Sequence, residues 1–129
     1  CYEIVYPDLV ARGARGTDWL LTISNDAWFG DSIGPIQHLQ MAQMRAAETQ
    51  RYLVRGTSNG ISAIVNPQGE IMTRSDQFVP VLIRGEVLAR SGSTPFMEAG
   101  STPVLVLSLI ALLYGRQRPR PDPAINIKS

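Results

Sequence analysis

The chain has 129 residues, with 12 Lys and Arg against 11 Asp and Glu, a formal net charge of +1 and 44% hydrophobic residues. This length allows one domain at most, and the balanced charge excludes a disordered polyelectrolyte and a strongly basic nucleic-acid binder. The only cysteine is Cys1, and a single cysteine excludes an intrachain disulfide and a cysteine-rich zinc site. The only lysine is Lys128. We expect no metal, no cofactor and no nucleic-acid partner.

Residues 1–95 have the pattern of a compact mixed α/β domain. A short helix is predicted over 3–13, followed by a strand over 18–25 whose nearly continuous apolar run is typical of a sheet buried on both faces. A loop rich in Gly, Pro and Asp comes next, and a helix with proline at its first position is predicted over 35–50. This order predicts a sheet with parallel strands and helices packed against it.

The second half of the domain is predicted to be mainly β. Strands are expected over 51–58 and 60–66, and the second forms a hairpin with 69–74 through a type I turn containing Pro and Gly. A last strand is expected over 81–87. Four or five strands with one or two helices leave one face of a sheet uncovered, so we expect an incomplete domain whose missing strands precede Cys1.

An apolar segment without any charge extends over 99–114, and Phe96 and Met97 lengthen it, with Glu98 as the only charge within the longer stretch. It approaches the ~20 residues that are needed to span the core of a bilayer. We therefore predict one transmembrane helix over 96–114. A buried helix of a soluble domain is the alternative.

Charge is distributed unevenly on the two sides of this apolar segment. Residues 1–115 hold 8 basic against 10 acidic side chains, whereas 116–129 hold 4 basic against 1 acidic. Basic flanks of membrane helices stay on the cytoplasmic side. The pattern thus predicts a basic cytoplasmic tail over 115–129 and a domain over 1–95 on the outer side of the membrane.

Cys1 is the sharpest candidate for catalysis, because a thiol is the most nucleophilic side chain at neutral pH. If a strand precedes it, Cys1 lies on a strand-to-helix turn where the backbone N–H of Tyr2 faces an oxyanion. A small buried thiol without a reaction is the alternative. His38 is the only imidazole, and it is considered both as a base for Cys1 and as a hydrogen-bonded structural side chain.

Two aromatic residues, Trp28 and Phe29, lie in the loop after the first predicted strand. Loops that expose large aromatic side chains often use them to bind ligands. We therefore consider Trp28 and Phe29 as the lining of an apolar substrate site. Buried anchors that fix the loop are the alternative.

Three stretches carry a resemblance to a known family: CYEIVYPDLV, LLTISNDAWFGDSIGPIQHLQMAQMRAAE and RYLVRGTSNGISAIVNPQGEI. Together they resemble the C-terminal half of the nitrilase-like domain of the bacterial apolipoprotein N-acyltransferases, over about residues 1–115. The resemblance implies an α/β fold, namely the C-terminal half of an α-β-β-α sandwich followed by one transmembrane helix. Other amidases of the nitrilase superfamily share the cysteine turn but neither the WFG-x-SIGP-x-QH run nor the membrane helix.

The resemblance also implies a chemistry. In this family a Glu–Lys–Cys triad transfers an acyl chain from a phospholipid donor, through a cysteine thioester, to the N-terminal diacylglyceryl-cysteine of an apolipoprotein acceptor. The nucleophile falls on Cys1, the oxyanion N–H on Tyr2, and a supporting acid on Glu3. Trp28 lies in the part that resembles the substrate-facing loop.

Both the Glu base and the Lys of the family precede the cysteine, so the 129-residue chain by itself is expected to be inactive. The resemblance places the full protein in the bacterial inner membrane with several spans, its catalytic domain on the periplasmic side and its C-terminus in the cytoplasm. Two other readings of Cys1 remain open. One is a lipoprotein that is lipidated on this residue and has no catalytic role, and the other is an amidase, including one that uses Cys1 as an N-terminal nucleophile.

Overall fold

The computed structural model of the chain describes residues 2–117. These residues form four helices and four strands, together with two short 3-10 turns, Glu3–Val5 before the first helix and Ala27–Phe29 after the first strand. The helices are α1 (Pro7–Gly13), α2 (Gly34–Thr49), α3 (Pro95–Ala99) and α4 (Thr102–Gln117), and the strands are β1 (Trp19–Asn25), β2 (Tyr52–Ser58), β3 (Ala63–Val65) and β4 (Ile71–Arg74). The predicted α/β class and the order of its elements from α1 to β4 are confirmed.

The four strands form one mixed sheet in the order β1-β2-β3-β4. β1 and β2 are parallel, with Leu20 opposite Leu53, and α2 connects them. β2, β3 and β4 are antiparallel neighbours. The predicted hairpin is confirmed, and its turn is closed by a 2.9 Å hydrogen bond from the N–H of Gly69 to the carbonyl of Asn66.

The hydrophobic core lies between the sheet and α2. Leu39, Ala42 and Ala46 lie on one face of this helix and are buried against Leu53 and Val65 of the sheet. Their spacing of three and four residues places them on one side of a helix with 3.6 residues per turn. Burial of this face holds α2 across β1 and β2.

The prediction that β1 is buried on both faces is wrong. Leu20 packs against the core, but Leu21 and Ile23 point the other way and are 57% and 70% exposed. Side chains alternate between the two faces of a strand. Within residues 2–117, β1 pairs with β2 alone, and α1 and α2 contact each other, α3 and the 3-10 turn Glu3–Val5, while α2 also packs on β2 and β3. The apolar run therefore reflects a face that the described residues leave open.

The strand predicted over 81–87 is not formed, and this segment is irregular. The segment does not pair with β4. Its backbone at Gly85 lies so close to the sheet that a side chain there would collide with Ile64 and would touch Thr73. A 3.1 Å bond from the N–H of Arg90 to the carbonyl of Asp18 fixes its far end. The apolar residues of 81–87 thus lie beside the sheet and are not part of its ladder of strands.

The single helix predicted over 96–114 is divided in the structure. α3 ends before Gly100, which has a φ of 58°, and α4 begins at Thr102. Met97 of α3 is buried against α1, so this end of the segment belongs to the folded domain. α4 exposes its apolar side chains on all sides.

None of the helices within residues 2–117 is both long and apolar enough to cross a membrane. Most of the tail predicted over 115–129 lies outside the described residues.

Candidate functional site

The predicted nucleophile Cys1 lies outside the described residues, so its role stays a prediction. The chain after it is firmly placed: the carbonyl of Tyr2 accepts a 3.1 Å bond from the N–H of Val5, and Ile4 is buried in the core. The side chain of Tyr2 is half exposed, and Glu3 starts the 3-10 turn at the surface. Residues 2–5 thus form a structured turn on the domain and not a flexible tether.

The two aromatic residues of the predicted substrate loop have different environments. Trp28 is 88% exposed and projects from the 3-10 turn that follows β1. Phe29 is partly buried, and its ring lies edge-on to that of His38, with 6.1 Å between the ring centroids. The Phe29 ring also lies so close to Gly34 that a side chain at position 34 would collide with the ring. Phe29 is therefore an anchor of the loop, and Trp28 is the aromatic side chain presented to solvent.

A buried ionic cluster lies directly beneath this loop. Asp26 has no exposed side-chain surface, and its Oδ2 accepts a 2.6 Å bond from Nη2 of Arg55, which is equally buried. Its Oδ1 accepts bonds from the hydroxyl of Ser24 and from Nδ1 of His38, the latter at 3.1 Å. Nε of Arg55 donates to the carbonyl of Ile61 at 3.3 Å. Such burial is tolerated because both charges are paired and hydrogen-bonded.

The protonation state of His38 follows from its surroundings. Burial, and secondly the positive charge of Arg55, lower the pKa of His38, and Asp26 only partly offsets them. The ring is therefore neutral near pH 7. Because a carboxylate can only accept, Nδ1 carries the proton and Nε2 is the acceptor. Nε2 is buried and has no hydrogen-bond partner among residues 2–117.

His38 also connects the aromatic loop with the start of the chain. Its ring lies 6.0 Å from that of Tyr2 and 6.1 Å from that of Phe29, between ring centroids. These distances are typical of favourable contacts between aromatic rings. The structure thus brings together Tyr2, Phe29 and His38. Glu3 and Trp28 are absent from these contacts.

The carboxyl ends of β1 and β2 form the same edge of the sheet, where ligands commonly bind in sheets with parallel strands. Asn59 follows β2 with a φ of 59°, and Gly60 approaches Asp26 so closely that a side chain there would collide with it. A cavity of about 320 Å³ opens beside this edge. It is lined by mainly polar residues within 57–62 and by the apolar residues 78–81. No three His, Cys, Asp or Glu side chains within the described part of the chain are grouped so as to hold a metal ion.

Sequence reasoning missed the ionic cluster as a unit. It considered His38 without a partner acid, and it gave no role to Asp26 or Arg55. One signal was available, because an arginine inside a strand that packs against a core needs a buried acid as its partner.

Comparison with known proteins defines the class of this domain. Residues 1–96 of the 129 match the family model of carbon-nitrogen hydrolase. The small mixed sheet with helices on its inner face is consistent with part of such a domain. The chain belongs to the carbon-nitrogen hydrolase family.

Individual relatives are more specific. The chain is 48% identical over 131 aligned positions to an apolipoprotein N-acyltransferase of Azotobacter vinelandii, with 98% of the chain and 25% of the relative covered. It is 48% identical to the enzyme of that name from Pseudomonas paraeruginosa, covering 93% and 24%. It is 47% identical to that of Wigglesworthia glossinidia brevipalpis, covering 88% and 23%. The chain therefore spans about a quarter of the length of the curated relatives that it matches.

Proposed function

We propose that this chain is the C-terminal part of an N-acyltransferase that matures lipoproteins. The observation that carries the proposal is the 48% identity over 98% of the chain to a relative named apolipoprotein N-acyltransferase, a match that extends beyond the hydrolase domain. The donor is a phospholipid, and the acceptor is the N-terminal diacylglyceryl-cysteine of an apolipoprotein. The sheet is then the C-terminal half of an α-β-β-α sandwich.

The reaction proceeds in two acyl-transfer steps. The thiolate of Cys1 attacks the ester carbonyl of the phospholipid, the bond to the glycerol oxygen breaks, and that oxygen leaves with a proton as a lysophospholipid. The acceptor amine then attacks the thioester, the carbon–sulfur bond breaks, and the amine proton is lost as the amide forms. The base Glu and the Lys of the family would precede Cys1 and carry the protons and the oxyanion charge.

Within the chain, each predicted site residue has one role in this scheme. The backbone N–H of Tyr2 donates to the oxyanion, and Glu3 is a supporting acid. Trp28 contacts the acyl donor, supported by its 88% exposure on a loop that Phe29 anchors. The structured turn over residues 2–5 disfavours the lipoprotein alternative, because a lipid-bearing Cys1 is normally followed by a flexible tether.

We also propose that α4 contributes to membrane attachment. Its side chains from Val104 to Tyr114 are exposed and almost entirely apolar, and Arg116 follows them. A helix that is apolar on all sides is typical of a protein core or a bilayer. In the full protein we expect several spans of the bacterial inner membrane, the catalytic domain on the periplasmic side and a cytoplasmic C-terminus.

The transfer reaction tests this function. The full-length gene product in membranes is mixed with phospholipid and a diacylglyceryl-cysteine peptide, and the mass of the peptide is followed. We expect a gain of one acyl chain that is lost in Cys1→Ser, and no gain with the isolated 129-residue chain. Release of ammonia from simple amides without acylation of the peptide would instead favour an amidase.

A further inference from the structure

The buried cluster beneath the aromatic loop joins four separate parts of the fold. Asp26 follows β1, His38 lies on α2, Arg55 lies on β2, and His38 reaches Tyr2 at the start of the chain. Neither the family match nor the proposed reaction assigns a role to any of these three polar residues. A buried histidine that is hydrogen-bonded to a buried acid has either a structural or a functional role.

We propose that His38 is a positioning residue for the acyl-transfer site. Its ring, which contacts Tyr2 and Phe29 and is also hydrogen-bonded to Asp26, fixes through these ring contacts the turn that carries the Tyr2 amide relative to the loop that carries Trp28. This inference rests on the proposed function, because it requires an oxyanion at the Tyr2 amide and a substrate on the loop.

Hydrogen bonds of Asp26 fix the orientation of the His38 imidazole. Nδ1 donates to Oδ1 of Asp26 at 3.1 Å, and the other oxygen of Asp26 is held by Arg55 at 2.6 Å. The carboxylate is therefore fixed at both oxygens, and it fixes the ring plane in turn. A histidine held by a carboxylate in this way keeps one tautomer and one orientation.

The His38 ring contacts two other aromatic side chains. Tyr2 lies on one side, with the ring planes inclined by 45°, and Phe29 lies on another side, inclined by 68°. Tyr2 is in turn edge-on to Tyr6 at 6.4 Å. A small cavity of about 70 Å³ adjoins Tyr2, Phe29 and His38. The ring contact thus adds to the burial of Ile4 and to the bond at the Tyr2 carbonyl in holding the Tyr2 turn.

A positioning role predicts that activity and stability respond differently to two substitutions of His38. His38→Asn keeps a side-chain N–H that can donate to Asp26 but removes the ring. His38→Phe keeps the ring contacts with Tyr2 and Phe29 but leaves Asp26 without that donor. If the ring positions the site, His38→Asn keeps most of the thermal stability and loses activity, whereas His38→Phe loses stability and keeps activity.

The test uses the full-length gene product in membranes, with kcat and KM for a phospholipid donor and the melting temperature of each variant. For His38→Asn we expect kcat to fall about 10- to 100-fold, the range expected for a misplaced reacting group, with KM unchanged within about twofold. For His38→Phe we expect kcat within about threefold of wild type, per folded molecule, despite a lower melting temperature.

Two variants on the same helix serve as controls. Thr49→Ala removes a buried hydroxyl that donates to the carbonyl of Arg45 at the other end of α2 from His38, so it lowers the melting temperature without changing kcat. Gln40→Ala alters an exposed position and should change neither quantity.

The outcomes are distinct. If the variant with the lower melting temperature, His38→Phe, also has the lower kcat, then His38 has only a structural role and the inference is wrong. If one variant does not fold, the remaining one still decides, because the expected kcat of each is stated separately. If the wild type itself transfers no acyl chain, the proposed function fails, independently of His38.

Discussion

At the scale of single residues, the most informative feature is the charge pair that the fold hides. Asp26 and Arg55 are 29 positions apart in sequence, and both side chains are fully buried. Single-sequence patterns cannot pair residues at that distance, since periodicity reports only on neighbours within one element. By contrast, the exposed aromatic Trp28 could be predicted, because glycine and aspartate mark the loop that carries it.

Removing the acid of this pair should destabilise the fold strongly. Asp26→Asn leaves the guanidinium of Arg55 buried without its compensating charge, and breaking a buried pair in this way costs about 3–5 kcal/mol. The free energy of unfolding of the full-length gene product, from urea titration, checks this. Asp31→Asn, which neutralises an exposed acid in the same loop, is the matched control and should cost less than about 0.5 kcal/mol. Equal costs for the two substitutions would contradict the account of the cluster.

The same cluster predicts a dependence of stability on pH. Burial and the charge of Arg55 hold the pKa of His38 below its ordinary value of 6.5, while Asp26 opposes them. Below about pH 6.5 the unfolded chain therefore binds a proton that the folded chain does not, so stability is complete above this pH and declines as pH falls toward the lowered pKa. The decline from this group is at most about 1.4 kcal/mol per pH unit.

Urea midpoints of the full-length gene product between about pH 8 and about pH 5.5 measure this dependence. His38→Asn carries no titrating group at this place and should show a shallower decline over the same range. Identical pH profiles for the variant and the wild type would show that His38 is not the group responsible.

At the scale of elements, local patterns gave α2, β1, β2 and the hairpin, because each has a clear period or turn signal. They failed where tertiary contacts decide. The segment over 81–87 has the apolar residues of a strand but packs close to Ile64, and the apolar segment near the C-terminus is broken at Gly100. α3 then belongs to the domain, and α4 starts anew at its surface.

The start of α4 is held by one acidic residue of α1. Both oxygens of Asp8 accept bonds from Ser101, one from its N–H and one from its hydroxyl, each at 2.8 Å. These bonds hold the pKa of Asp8 below its ordinary value of 3.8. The link thus orients α4 relative to the domain.

Breaking this link should loosen α4 without unfolding the domain. In Asp8→Ala we expect faster hydrogen–deuterium exchange in peptides that cover residues 100–104, with the exchange of α2 unchanged, because the core does not involve Asp8. Asp18→Ala, at an exposed acid outside this contact, is the control. Faster exchange throughout the domain would contradict a local role.

At the scale of the whole molecule, the features converge on one edge of the sheet. The Tyr2 turn, the Trp28 loop and the carboxyl ends of β1 and β2 are linked by the cluster of Asp26, His38 and Arg55. The outer face of β1 stays open within residues 2–117, which agrees with the expectation of an incomplete sheet. The chain is therefore best understood as part of a carbon-nitrogen hydrolase domain, with the proposed nucleophile turn and the proposed substrate loop at one edge of its sheet.

The central claim is that Cys1 carries the acyl group, and mass spectrometry tests it most directly. The full-length gene product is incubated with a phospholipid of defined chains and no acceptor, then digested, and the peptide that contains Cys1 is weighed with and without hydroxylamine. The account predicts one acyl chain on Cys1 that hydroxylamine removes, as expected of a thioester, and none on the isolated 129-residue chain. An unmodified Cys1 in a full-length protein that still acylates lipopeptides, or an adduct on the isolated chain, would contradict it.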